Sequence, residues 1–116
     1  MTIQIYHNPR CSKSRQTLGL LEERGFTPEI ILYLENPPSK KALERTLQKL
    51  GIKARELIRF KDDLAKQLAI TAKDDRSENE WLELLVNNPA LIERPVVING
   101  NKAAIGRPPE NVLDIL

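Results

Sequence analysis

The amino-acid sequence predicts an α/β fold in which a βαβ unit and a ββα unit are separated by a helical stretch. Three observations carry this. The segment Ile3-Gln4-Ile5-Tyr6 alternates apolar and polar positions with the period of a strand. Leucines in the middle of the chain, such as Leu43, Leu47 and Leu50, recur at helical spacing. Near the end, the β-branched run Val96-Val97-Ile98 enters Asn99-Gly100-Asn101, the signature of a strand turning into a hairpin.

Each element follows from local chemistry. His7-Asn8-Pro9-Arg10 breaks the first strand, and a helix begins near Cys11 or Ser12. Leu18 and Leu21 share one face of it, and Gly25 suits its C-terminal stop. Glu29 to Leu34 is apolar almost throughout, which predicts a strand buried on both sides. Asn36-Pro37-Pro38 ends that strand. Ser39 is placed to cap the next helix, and Gly51 to stop it.

Two short helical pieces are expected next, the first holding Leu57 and Ile58 and the second Leu64 and Leu68. Ser77-Glu78-Asn79-Glu80 has the form of a capping box. It opens a helix whose apolar face is Trp81, Leu82 and Leu85, closed by Asn87-Asn88-Pro89. After the hairpin, Lys102 to Ile105 returns as a strand. Gly106-Arg107-Pro108-Pro109 then leads into a last helix with Val112, Leu113 and Leu116 facing inward. No repeat, low-complexity tract or linker interrupts the chain, so residues 1–116 are expected to form a single domain. A cysteine opening the first helix and a proline just ahead of the third strand make this a thioredoxin-like layout. Roughly fifty residues of helical insertion separate its two halves.

Composition narrows the function classes. The chain has 116 residues, 41% hydrophobic and 29% charged, an ordinary globular balance. Its longest apolar run, Ile30 to Leu34, is far too short to span a bilayer. The opening Met1-Thr2-Ile3-Gln4-Ile5 lacks the basic and apolar regions of a secretory signal. One cysteine makes no internal disulfide, so a cytoplasmic setting is expected. With one His and one Cys, no structural zinc site is expected either.

Residues 1–60 hold eleven Lys/Arg against six Asp/Glu, whereas residues 61–116 hold seven against ten. The N-terminal half is therefore the one to attract an anion. With only five aromatic residues and no dense basic stripe, nucleic-acid binding is not expected.

Cys11 is the candidate nucleophile. Between a strand and a helix it meets unpaired backbone N–H groups and the positive end of the helix dipole. A thiolate is favoured there, and nearby cations lower the thiol pKa further. Arg15 lies one turn along on the same helix face, with Arg10 and Lys13 adjacent. His7 precedes the turn and can bond within the loop or help hold the thiolate. The same N–H groups suit a tetrahedral oxyanion. A lone intracellular cysteine is more often a small buried hydrophobe, but a core cysteine is rarely flanked by Arg10, Ser12, Lys13, Ser14 and Arg15.

His7-Asn8-Pro9-Arg10-Cys11-Ser12-Lys13-Ser14-Arg15 resembles the H-x3-C-x3-R active-site motif of the glutaredoxin-coupled arsenate reductases. Tyr33-Leu34-Glu35-Asn36-Pro37-Pro38 is similar to another segment of that family. Ala54 to Arg59, Leu91 to Val97 and Gly106-Arg107-Pro108 resemble the segments that supply its three substrate arginines. These landmarks occur in family order over almost the whole chain. Lys13 stands where the family carries a small neutral residue, and the chain is shorter than those reductases, so it resembles a short arsenate-reductase-like branch.

The resemblance implies that Cys11 is the nucleophile and that Arg59, Arg94 and Arg107 hold the oxyanion. It further implies that His7 and Arg15 tune the thiolate, and that Arg94-Pro95 is the cis peptide typical of the fold. By this likeness Cys11 attacks arsenate, glutathione serves as co-substrate, and glutaredoxin is the protein partner, with no bound cofactor or metal. The single cysteine agrees with an external resolving thiol. Two alternatives stay open: an oxidoreductase for another oxyanion or a glutathione mixed disulfide, and a relative of the Spx-type regulators that bind RNA polymerase. The latter usually carry C-x-x-C at this turn, where this chain has Ser14.

Overall fold

The computed structural model describes residues 2–116. The chain divides into two compact units, Met1–Asn36 with Arg94–Leu116, and Pro37–Glu93.

The first unit is a four-stranded sheet with one long helix. Its elements are β1 (Ile3–Tyr6), α1 (Ser12–Glu23), β2 (Glu29–Ile31), β3 (Val96–Asn99), β4 (Lys102–Ile105) and a 3₁₀ helix, Pro109–Ile115. Strand order is β2-β1-β3-β4. β1 runs parallel to β2, with Ile5 opposite Ile30, and antiparallel to β3, with Ile5 opposite Val97. β3 and β4 form the expected hairpin, turning at Gly100, whose φ is 63°. The βαβ and ββα halves therefore stand as the sequence predicts.

Alternation along the strands sends Ile3, Ile5 and Val97 to one face. They form a core with Leu21 and Val112, against which Leu18, Leu20, Phe26, Ala104 and Ile115 pack. Each fully buried aliphatic side chain contributes about 1.5–3 kcal/mol. α1 ends in a Schellman motif: the N–H of Phe26 donates to the Leu21 carbonyl and that of Gly25 to Glu22, both at 3.0 Å. Gly25 takes φ 85° there, a conformation that glycine adopts without strain.

The second unit is helical: α2 (Lys40–Leu50), a 3₁₀ turn at Ala54–Leu57, α3 (Asp63–Gln67), α4 (Glu78–Asn87) and a 3₁₀ turn at Pro89–Leu91. Ser39 caps α2 by accepting from the Ala42 N–H at 3.1 Å. The capping box opens α4, with Ser77 and Glu80 bonded reciprocally at 3.1 Å each. Trp81, Leu82 and Leu85 are buried, and Phe60 meets the Trp81 ring edge-on at 5.7 Å.

Four local expectations are corrected. β2 stops at Ile31 and is an edge strand, not a doubly buried one; Ile30 is 47% and Leu34 48% exposed. The Leu32 carbonyl accepts from the N–H groups of Glu35 and Asn36, so the rest of the apolar run is a turn. Ile58 lies outside the helical piece and pairs with Ile92 in an antiparallel bridge. Leu68 caps α3 and is 39% exposed. The last helix is 3₁₀, and Leu116, at 38% exposed, does not face inward. Consecutive prolines at its start remove two backbone donors.

Candidate active site

Cys11 is the N-cap residue of α1, with extended backbone (φ −93°, ψ 122°). A tight turn delivers it: the Cys11 N–H donates to the Asn8 carbonyl at 3.0 Å, and the Arg10 N–H to Asn8 Oδ1 at 3.0 Å. The first turn of α1 contains no acidic residue, so no carboxylate offsets the positive helix end. The thiol is partly exposed.

The inward face of α1 is Ser14, Thr17 and Leu21. Ser14, fully buried, accepts from the Asn8 N–H at 3.0 Å and pairs with His7 Nδ1 at 2.6 Å. A hydroxyl can accept from the Asn8 N–H and still bond Nδ1 of the ring. Burial, with the Arg15 charge as the lesser cause, holds the His7 pKa below its ordinary value. The ring is neutral near pH 7. Arg15 Nη1 donates to the Pro9 carbonyl at 2.8 Å. The hydrogen bonds of His7 and Arg15 thus go to Ser14 and Pro9, on either side of the loop that presents the sulfur.

Strand register brings the arginines to Cys11. Tyr6 pairs with Val96 and Val96 with Ile105, so one end of the sheet gathers the residues just outside β1, β3 and β4. Arg94 and Arg107 flank the open end of the β3–β4 hairpin. Arg107 Nε donates to the Arg94 carbonyl at 2.7 Å, and its Nη2 lies 3.5 Å from Cys11 Sγ. The Arg94 guanidinium also acts on the sulfur and favours the thiolate, while its Nε is a buried donor with no partner among the described residues. The Arg94–Pro95 peptide is cis, and so is Arg107–Pro108.

Opposing influences act on the thiol. Burial is the largest and pushes the pKa up; the Ser14 N–H and the charges of Arg94 and Arg107 outweigh it, and the thiol stays below its ordinary value. A lowered pKa raises the thiolate fraction, the form in which a cysteine is nucleophilic.

Arg59 belongs to the helical unit. Its N–H donates to the Leu91 carbonyl at 2.8 Å, and the Glu93 N–H to Leu57 at 2.7 Å. This pairing sets the Arg59 Nε 3.6 Å from a Glu93 carboxylate oxygen. The sheet unit therefore gathers Cys11, His7, Arg15, Arg94 and Arg107.

Sequence reasoning missed three contributors. Ser14 read only as a polar neighbour of Cys11, although Ser14, Thr17 and Leu21 share the helical spacing of an inward face. Asn8 read as a strand breaker. Gly106 read as a loop residue, yet a Cβ there would lie 2.5 Å from Thr17 Oγ1 and 2.8 Å from Pro95 Cγ. Only glycine lets α1 approach the Pro95 loop this closely.

Among the described residues, no group of three or more His, Cys, Asp and Glu side chains is placed to hold a metal ion. No helix there is long and apolar enough to cross a membrane.

An uncharacterized protein, YfgD, of Escherichia coli strain K12 is 52% identical over 98% of this chain and 96% of its own. An arsenate reductase of Haemophilus influenzae is 51% identical over the full length of both. The solved structure of an arsenate reductase from Vibrio cholerae is 45% identical, with a TM-score of 0.94 over 100% of this chain and 98% of that one. The ArsC family pattern matches residues 6–115, and the chain belongs to the ArsC family.

Proposed function

We propose that the protein reduces arsenate to arsenite, with Cys11 as nucleophile and an external thiol as reductant. The observation that carries this is the convergence of the Arg94 and Arg107 guanidinium groups on a lone thiol held below its ordinary pKa. Guanidinium groups match the oxygens of a tetrahedral dianion. They also lessen its repulsion of an attacking thiolate. The buried Arg94 Nε, without an acceptor among the described residues, favours a ligand oxygen at that point, because an unsatisfied buried donor is costly. Arg59, in the helical unit, is assigned as the third oxyanion ligand. His7 and Arg15 act through the loop, holding Ser14 and Pro9 so that the Ser14 N–H faces the sulfur.

The steps balance. The Cys11 thiolate attacks arsenic; a S–As bond forms and one oxygen leaves as water after protonation, giving a thioarsenate still at As(V). With one cysteine in the chain, glutathione supplies the second thiolate. Its sulfur attacks Cys11 Sγ, a S–S bond forms, and the S–As bond breaks with its electron pair going to arsenic, which leaves as As(III). Glutaredoxin then takes the glutathione by thiol–disulfide exchange and frees Cys11. A thiol kept reduced and a glutathione pool both belong to the cytoplasm.

The test is arsenate-dependent NADPH oxidation coupled through glutathione and glutaredoxin. Wild type turns over, Cys11→Ser does not, and Arg94→Ala loses about tenfold or more in kcat/KM, the worth of one charged hydrogen bond. Absence of turnover by the wild type would overturn the reading.

A further inference from the structure

Asn99 ends β3 on the same face as Val97, a polar residue in a row that is otherwise apolar. The structure gives it a task. Its Nδ2 donates to the Ile115 carbonyl at 2.6 Å, which ties down the C-terminal end of the 3₁₀ helix Pro109–Ile115, where the last carbonyls lack helical partners. The next residue is Gly100, at φ 63°. We propose that Asn99–Gly100 is a site of spontaneous deamidation, and that release of the Asn99 carboxamide from Ile115 sets its rate. Cys11 plays no part in it.

The reaction needs only water. The Gly100 nitrogen, stripped of its proton by hydroxide, attacks Asn99 Cγ. A C–N bond forms, the Cγ–Nδ2 bond breaks, and ammonia leaves behind a five-membered succinimide. Water opens the ring at either carbonyl, giving aspartate or isoaspartate at position 99, with nothing oxidised or reduced. Glycine permits this closure because no Cβ crowds its nitrogen. Asn101, in the same turn, is followed by Lys102 and lacks that freedom. Water reaches Asn99 through an open groove of about 440 Å³, which it lines with Thr2, Ile3, Phe26 and Thr27.

Folding holds the reaction back. Ring closure requires the carboxamide carbon to swing onto the following nitrogen. Asn99 is instead extended in the sheet, paired with Ile3 and Lys102, and its amide nitrogen is engaged by Ile115. Ile115 in turn packs against the core of Ile3, Ile5 and Val97. Local opening at this end of the sheet is the gate, and the ends of elements open at the least cost. Once formed, an aspartate has no donor for Ile115, and its carboxylate repels the carbonyl. Lys102 stands opposite on β4, in no ion pair among the described residues, and draws the new charge away. An exposed pair of this kind returns little stability, so the 3₁₀ helix loses its tie. Ile3 pairs with Asn99 and Tyr6 with Val96, which puts the modification at the end of β1 remote from Cys11.

Peptide mapping by mass spectrometry after incubation at mildly alkaline pH tests this. Asn99 is expected to convert ahead of Asn101 and the other asparagines, and faster as pH rises. Ile115→Ala loosens the segment that carries the acceptor; it is expected to speed conversion at Asn99 about tenfold and to leave Asn101 unchanged. Asn99→Asp, the product made directly, is expected to lower the urea midpoint without moving the Cys11 thiol titration. An intact Asn99, or a rate that Ile115→Ala leaves unchanged or raises equally at Asn101, would overturn the proposal. So would an Asn99→Asp midpoint no lower than that of the wild type.

Discussion

Arg107 bonds two partners at once: its Nε donates to the Arg94 carbonyl at 2.7 Å, and its Nη2 lies 3.5 Å from Cys11 Sγ. One planar fork therefore fixes the Pro95 loop and favours the thiolate. A lysine has no such fork. Arg107→Lys and Arg107→Ala are both expected to raise the Cys11 pKa, because a charge that favours the thiolate is displaced or lost. Titration of the thiolate absorbance near 240 nm checks this. A charged hydrogen bond is worth about 1.5–3 kcal/mol, so kcat/KM for arsenate should fall roughly 10- to 150-fold in the alanine variant. An unmoved thiol titration would show that the contact does not act on the sulfur.

The His7–Ser14 pair makes stability depend on pH in a definite direction. Burial first, and Arg15 second, keep the folded-state His7 pKa below its ordinary value. The unfolded chain takes up a proton near pH 6.5 that the folded chain refuses until lower pH. Below about 6.5 the unfolded state thus binds more protons, and stability falls as pH falls, by at most about 1.4 kcal/mol per pH unit from this group. Above that pH the group adds no slope. Urea denaturation at pH 7.5, 6.5 and 5.5 is expected to show this loss in the wild type and a shallower one in His7→Asn. Equal slopes would contradict it.

Much of this arrangement was legible in the sequence, for reasons visible in particular residues. Caps announce themselves because their chemistry is local: Ser39, and the Ser77–Glu80 box, stand where their side chains imply. Cys11 stood out because charged and hydroxyl neighbours do not accompany an inert core thiol. The Val96–Ile98 run has no competing reading as a helix. Glu29–Leu34 misled because a continuous apolar run fits a buried strand equally well as a short edge strand followed by an apolar turn. Only the pairing of β1 with β3 decides which strand is at the edge. Ser14 was hidden because a buried serine needs a partner, and that partner, His7, belongs to the other side of the loop. Arg94 and Arg107 carry no local signal at all; the register of two strand pairs brings them together, and family resemblance alone singled them out beforehand.

Gly106 sets how closely α1 approaches the Pro95 loop. A Cβ there would stand 2.5 Å from Thr17 Oγ1 and 2.8 Å from Pro95 Cγ, and neither atom is the free end of a flexible chain. Overpacking of this kind costs about 1–3 kcal/mol. Gly106→Ala should lower the urea midpoint accordingly and reduce activity, because the Gly106 N–H to Pro95 carbonyl bond of 2.9 Å and the adjacent Arg107 shift with it. Thr17→Ala in that background removes the closest atom and should restore part of the stability. If it restores none, the contact with Pro95 dominates.

Glu93 competes for Arg59. The 3.6 Å pair between them has side chains only 23% and 25% exposed, so it is partly shielded from water, yet such pairs near the surface add at most about 1 kcal/mol to stability. On the proposed assignment of Arg59 its larger effect is on ligand binding: an oxyanion that takes up the Arg59 guanidinium must draw it from a carboxylate. Glu93→Gln keeps the shape of the side chain and removes its charge. The fold should lose little, with a midpoint shift of under about 1 kcal/mol, while KM for arsenate falls roughly two- to fivefold, equivalent to about 0.4–1 kcal/mol. Arg59→Ala should act in the opposite direction, and in that background Glu93→Gln should change KM no further. A fall in KM that persists without Arg59 would show that Glu93 acts through the general field of the site, and Arg59 would lose its place among the arsenate ligands.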